Sequence, residues 1–100
     1  MQYSITGSGS DCVISVSGEM SFSDHNSVRT LIGELDDKSP KTVVADLSSL
    51  EGIDSAGVGM LMLMDEAGKE GGYKFSIRGV KGQVEQVLNI CRLSEVIDMS

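Results

Sequence analysis

Asp54 and Ser55 are the residues of this chain best placed to do chemistry. They follow the apolar run Val43-Val44-Ala45-Asp46-Leu47 and a short segment, Ser48-Ser49-Leu50-Glu51-Gly52, that returns to an apolar Ile53. They precede Ala56-Gly57-Val58-Gly59-Met60-Leu61-Met62, a helix start too apolar for a surface element. Ser55 is therefore a hydroxyl at a strand-to-helix junction. The first turn of a helix leaves backbone N–H groups unpaired and carries the positive end of the dipole, so an anionic group is favoured there. A serine in that place can cap the helix, worth about 1 kcal/mol, bind a partner, or accept a phosphate. These roles are compatible.

Other chemistries find less support. A serine hydrolase needs a base beside its nucleophile, ideally in a Gly-x-Ser-x-Gly elbow, but the context here is Ile-Asp-Ser-Ala-Gly and the single histidine is His25, read as a solvated helix-start residue. Ser55 is then an acceptor and not a nucleophile. Gly57-Val58-Gly59 opens a helix after a strand, yet Met62 stands where a dinucleotide fingerprint wants its third glycine, and no Walker A pattern is present. The glycines instead give the helix start a low profile for an approaching backbone or nucleotide. Phosphoryl transfer to Asp46 would need Mg²⁺ held by carboxylates near the end of the first strand, where this chain has Ser, Thr and Gly. Asp46 is expected to order the following loop. Asp24, Asp46 and Asp54 could converge on a metal, but scattered loop carboxylates are ordinarily solvated turn formers, and neither a metal nor a cofactor is expected. Cys12 and Cys91 read as reduced core residues, with no spacing that would hold zinc.

The elements that position Ser55 follow from periodicity. Residues 2–7 and 12–18 read as a hairpin around a turn at residues 7–11, after which Gly18 releases the chain. Ser23 or Asp24 caps a first helix with Val28, Leu31, Ile32 and Leu35 on its apolar face, and Pro40 closes that region. Residues 42–47 read as a central strand buried on both faces, and a loop over 48–55 leads to the second helix, stopped by Gly71-Gly72. A strand over 73–78, a helix over 81–92 carrying Val84, Val87, Leu88 and Cys91, and a strand over 94–99 around Val96 and Ile97 complete the pattern. The order predicts an α/β fold: a mixed, mostly parallel sheet with an N-terminal antiparallel hairpin edge and about three helices. In such sheets function gathers at the carboxyl ends of the parallel strands, where Ser55 falls. At about 100° per residue, Met60, Leu61, Met64 and Ala67 share the core face of the second helix, with Leu63 at its edge. Ser55, Val58, Met62, Glu66 and Lys69 share the opposite face, so Val58 and Met62 form an exposed docking stripe.

With 100 residues the chain is read as one domain over 1–100, and its formal charge of −7 argues against nucleic-acid or anionic-membrane binding. No apolar run reaches membrane-spanning length, so no direct membrane insertion is expected and the cytoplasm is the default compartment.

The apolar strand, Asp46-Leu47, the short segment and Ile53-Asp54-Ser55-Ala56-Gly57-Val58-Gly59 closely resemble the signature of the STAS domain, the anti-sigma factor antagonist family. The resemblance implies that Ser55 is phosphorylated by an anti-sigma factor that is also a serine kinase, and that a serine phosphatase resets it. Together with the helix-face reading, the chain is taken as a binding module with no catalysis, contacting its partner through Asp24, Asp54, Ser55, Gly57, Val58, Gly59 and Met62. Asp24 enters that set as the counterpart of a family aspartate beside the phosphoserine site, although Ser21-Phe22-Ser23 departs from the commonest spacing. The alternative within the same family is a structural subunit of a membrane-associated lipid-transport assembly without phosphoregulation.

Overall fold

Strand β1 (Gln2–Thr6) turns back on β2 (Asp11–Met20) as the expected antiparallel hairpin, pairing Tyr3 with Val16 and Ile5 with Ile14. The structure is a computed structural model describing residues 1–7 and 9–100, so within the turn expected over 7–11 Ser8 lies outside the described residues. A 3-10 turn (Phe22–Asp24) leads into α1 (His25–Lys38), followed by β3 (Thr42–Ile53), α2 (Ser55–Gly71), β4 (Lys74–Arg78) and α3 (Gly82–Ile90). A second 3-10 turn (Leu93–Glu95) and β5 (Asp98–Met99) follow. The sheet order is β1-β2-β3-β4-β5, and every pairing after the hairpin is parallel. This is the α/β architecture expected, with its antiparallel edge and three helices.

The main departure lies in β3, which is 12 residues long and takes in most of the segment expected as a loop. Ser15 pairs with Asp46 but Ser17 with Ser49, and Gly18 with Leu50 but Glu19 with Gly52. β3 therefore carries one extra residue at each of two bulges, and each bulge re-aims the side chains that follow. Leu47, Leu50 and Ile53, three apart, all point into the core. The partner strand adapts too: Gly18, at φ 81°, does not release the chain, and β2 continues to Met20. Beyond the pairing of Asp46 with Arg78, β3 has, among the described residues, no strand on its β4 side. There the side-chain amide of Gln83 takes over, with Oε1 accepting from Ile53 N and Nε2 donating to Ile53 O, both at 3.0 Å.

One face of the sheet supplies the core. Cys12, Ile14, Val43, Ala45, Phe75 and Ile77 meet Val28, Leu31 and Leu35 of α1, Met60, Leu61 and Met64 of α2, and Val84 and Leu88 of α3. The other face is polar, with Ser4, Ser15, Asp46 and Arg78 in one row across four strands. Residues 42–47 are thus buried on one face only, because their alternate positions, Thr42, Val44 and Asp46, are half-exposed on that polar side. Three further expectations need correction. Asp24 does not cap α1 with its side chain, and neither does Ser23. Cys91 is exposed, since α3 stops at Ile90 before the cysteine reaches the apolar face. The stretch 94–99 is strand only at Asp98–Met99, and Val96 faces outward while Ile97 is buried. Among the described residues no helix is long and apolar enough to cross a membrane.

Asp46 ties the middle of the sheet together. Its Oδ1 accepts from Ser48 N at 3.0 Å, and its Oδ2 accepts from Arg78 Nε and Nη2 at 3.3 Å. The Ser48 N–H and hydroxyl hold its carboxyl below the usual carboxylate range against the opposing effect of burial, and Arg78 adds to the lowering. A carboxyl lowered in the folded state adds stability above its unfolded pKa of about 4 and loses it as pH falls through the lower folded value. Asp46→Asn should therefore cost about 1 kcal/mol at neutral pH and flatten the acid side of the stability profile. Urea melts between about pH 7 and pH 3 measure both, and a variant with an unchanged acid slope contradicts this role.

A candidate docking site at the head of α2

The junction between β3 and α2 is organised by Asp54. Its backbone is extended (φ −109°, ψ −177°), its Oδ1 accepts from Gly57 N at 2.8 Å, and its carbonyl accepts the first helical bond from Val58 N at 3.0 Å. Its own N–H donates to Met20 O at 3.2 Å, joining the helix head to the end of β2. Asp54 is thus the N-cap, and Ser55 is the first helical residue. Ser55 is exposed, and among the described residues its hydroxyl enters no hydrogen bond. The capping role open to Ser55 on sequence grounds belongs to its neighbour. The hydroxyl stands beside the unpaired N–H groups of the first turn, at the positive end of a 17-residue helix.

The two glycines that follow differ in kind. A Cβ on Gly57 would stand 2.5 Å from Ile53 Cγ1 and 2.8 Å from Met20 O, so only glycine lets α2 seat this closely on the ends of β2 and β3. A Cβ on Gly59 would meet nothing within 4 Å. Glycine inside a helix costs about 1 kcal/mol relative to alanine, and at Gly59 nothing within the fold requires it.

Val58 is corrected by the structure. At 6% exposure it belongs to the core, on a helix that packs against the 3-10 turn and α1 as well as the sheet, neighbours that a wheel does not register. The outward face carries Ser55, Gly59, Met62 and Leu63, with Met62 45% and Leu63 39% exposed. Leu63, expected at the edge of the core, is on the outside. With Val96 from the C-terminal segment, Gly59, Met62 and Leu63 border a groove of about 370 Å³, rimmed by Asp65, Glu66 and Lys69.

Phe22, in the 3-10 turn beside α2, is 80% exposed and was not singled out in the sequence. The available signal was a large apolar residue between two serines, outside the periodicity of the helix that follows. Asp24 sits in the same turn but is not a free carboxylate. Its Oδ2 accepts from Ser21 N at 2.8 Å and its Oδ1 from the Met1 ammonium at 2.7 Å. Burial works to raise its pKa, and these donors outweigh burial and lower it. Asp24 therefore shapes the 3-10 turn that packs beside α2. His25 is exposed, its Nε2 accepting from Arg29 Nε at 3.2 Å. Asp24, Asp46 and Asp54 each hold separate partners, and among the described residues no three metal-ligating side chains converge.

The family model described as "Mlab, STAS domain" matches residues 3–98. The chain belongs to the STAS domain family. No curated protein sequence matches it. Among solved structures, an anti-sigma factor antagonist from Mycobacterium paratuberculosis is 25% identical, with a TM-score of 0.79 covering 98% of this chain and 83% of that one. RsbS of Moorella thermoacetica is 19% identical, with a TM-score of 0.80 over 100% of this chain and 86% of the other. The Bacillus cell fate determinant SpoIIAA in its phosphorylated form is 15% identical, with a TM-score of 0.71 over 99% and 91%. At these identities the latter two bear on the fold alone. Within the STAS fold, then, Asp54, Ser55, Gly57, Gly59 and Met62 lie along the first half of α2 and its cap, Val58 is buried, and Asp24 holds the 3-10 turn that packs beside the helix.

Substituting the two glycines separates packing from approach. Gly57→Ala should destabilise the domain by about 1 to 3 kcal/mol through overpacking, whereas Gly59→Ala should stabilise it by up to about 1 kcal/mol. Paired denaturant melts measure the difference, and equal effects at both positions would contradict the contrast drawn here.

Proposed function

We propose that this STAS domain is a protein-binding module without catalytic activity, which docks the head of α2 onto an anti-sigma factor or related serine kinase and is released when Ser55 is phosphorylated. The observation that carries the reading is that Asp54, and not Ser55, caps α2, so the Ser55 hydroxyl is outward and unengaged. Gly59, Met62 and Leu63 supply a low, apolar surface on the same helix, while Asp54 and Gly57 seat the helix head. The Mycobacterium structure of the same fold is an anti-sigma factor antagonist, which supports this class of partner. A kinase partner places the domain where ATP is available, in the cytoplasm, and a serine phosphatase returns it to the binding form.

The switch is local electrostatics. Phosphoserine adds about −1.5 to −2 charges at neutral pH, and the helix dipole offsets only about 0.3 to 1 kcal/mol of the resulting repulsion. The Asp54 carboxylate is adjacent, and the chain already carries a formal charge of −7. A solvated dianion on an exposed residue leaves the fold intact, but it cannot be buried against an apolar or acidic partner without a compensating cation.

A second reading is favoured by the type of STAS domain matched, described as Mlab and not by sigma-factor control. In it the same helix face is a fixed contact in a membrane-associated lipid-transport assembly, and Ser55 is never modified. Incubation with ATP and the partner kinase distinguishes the two, since only the first yields phosphate on Ser55 by mass spectrometry. Under the first reading Ser55→Ala binds the partner constitutively, and Ser55→Asp binds at least about tenfold more weakly, the loss of about 1.4 kcal/mol, while both remain folded by circular dichroism. Calorimetry showing Ser55→Asp binding as tightly as the unmodified chain would overturn it.

A further inference from the structure

β3 outruns its neighbour. β4 pairs with it only as far as Asp46 and Arg78, whereas β2 follows it on the other side to Ile53. Gly79 closes one end of the unpaired stretch, where a Cβ would stand 3.2 Å from Ser48 N, and the Gln83 amide closes the other on the N–H and carbonyl of Ile53. Between these two contacts the sheet is open opposite residues 49–52, over about 13 Å at the rise of a strand. Among the described residues, no backbone group of that stretch bonds to the segment 79–83. A strand directs its N–H and C=O groups to both sides, so a stretch without one neighbour keeps donors and acceptors unpaired.

The opening has walls. A cleft of about 660 Å³ lies between residues 48–51 and the start of α3 at residues 81–83. Leu50 is buried in the core, while Ser49 and Glu51 are exposed beside the cleft. Lys81 and Glu51 bring one charge of each sign to its border, so net charge selects no class of ligand. Gln83 shows what does fit this edge: a planar amide that offers Ile53 one donor and one acceptor, the pattern of a peptide unit.

We propose that this opening receives an extended peptide segment of another protein, which adds beside β3 as a short strand and bonds its main chain to residues 49–52. Strand addition of this kind draws its affinity from backbone hydrogen bonds. The Gln83 amide then marks the end of the slot, the place where the added strand must stop or displace it. The outer edge of β1 also lacks a neighbour among the described residues, but the β3 opening is bounded at both ends and walled by α3, which fixes the length and position of what enters. The inference is independent of whether Ser55 is modified.

The test uses the whole chain, ¹⁵N-labelled, titrated with the capped hexapeptide acetyl-Lys-Thr-Val-Thr-Val-Lys-amide and separately with the same peptide N-methylated at its four central residues. The first should give saturable shifts centred on the amides of residues 49–53, with slowed hydrogen exchange there. The second keeps the side chains and charges but loses the donors, and should bind at least about tenfold more weakly. Gln83→Ala, checked for its fold by circular dichroism, frees the edge groups of Ile53 and should bind the first peptide up to about tenfold more tightly. Absence of saturation by the first peptide below about 10 mM, equal binding of the N-methylated form, or shifts centred on residues 2–6 of the β1 edge would overturn the proposal.

Discussion

The arrangement at the head of α2 depends on how Asp54 divides its hydrogen bonds. Its N–H reaches back to Met20 at the end of β2, its carbonyl starts the helix at Val58, and its carboxylate closes the first turn on Gly57. These three bonds join the sheet to the helix within a single residue. A strand end and a helix start each leave backbone groups unpaired, and here one residue serves both. Because the cap is an aspartate, the next hydroxyl has no structural duty, and a serine that would otherwise be held is open to solvent.

The close seating of α2 that this joint requires is reflected in the surrounding packing. Gly57 removes the side chain that would strike Ile53 and Met20, and the bulges in β3 deliver Ile53 to the core in time for Asp54 to turn outward. The 3-10 turn beside the helix is held by Asp24 and leaves Phe22 outside, while Val58 is buried. Site and core are therefore set by the same few contacts, and the outward surface is the remainder of α2 that those contacts do not cover.

Much of this was legible in the sequence, because each element buries one face with an undisturbed period. The hairpin, the apolar face of α1, the core face of α2 and the strand with Phe75 and Ile77 all follow simple repeats. Ser55 was placed at its junction by the break between two such repeats. The losses came where the period is altered by something outside the element. Leu47, Leu50 and Ile53 are spaced by three, which matches no regular strand, so a twice-bulged strand read as a loop. Val58 looked outward on a wheel that cannot register the neighbouring turn, and Cys91 looked inward on a helix that ends one residue sooner. The choice between Asp54 and Ser55 as the cap turns on backbone angles, and both residue types suit the position equally.

Gln83 gives the end of β3 a neighbour where the sheet has none. Its amide presents a donor and an acceptor to Ile53 much as a peptide unit would, so a side chain of α3 substitutes for a sixth strand. Ile53 immediately precedes Asp54, so the third helix is fastened, through one glutamine, to the strand end that leads into the head of α2.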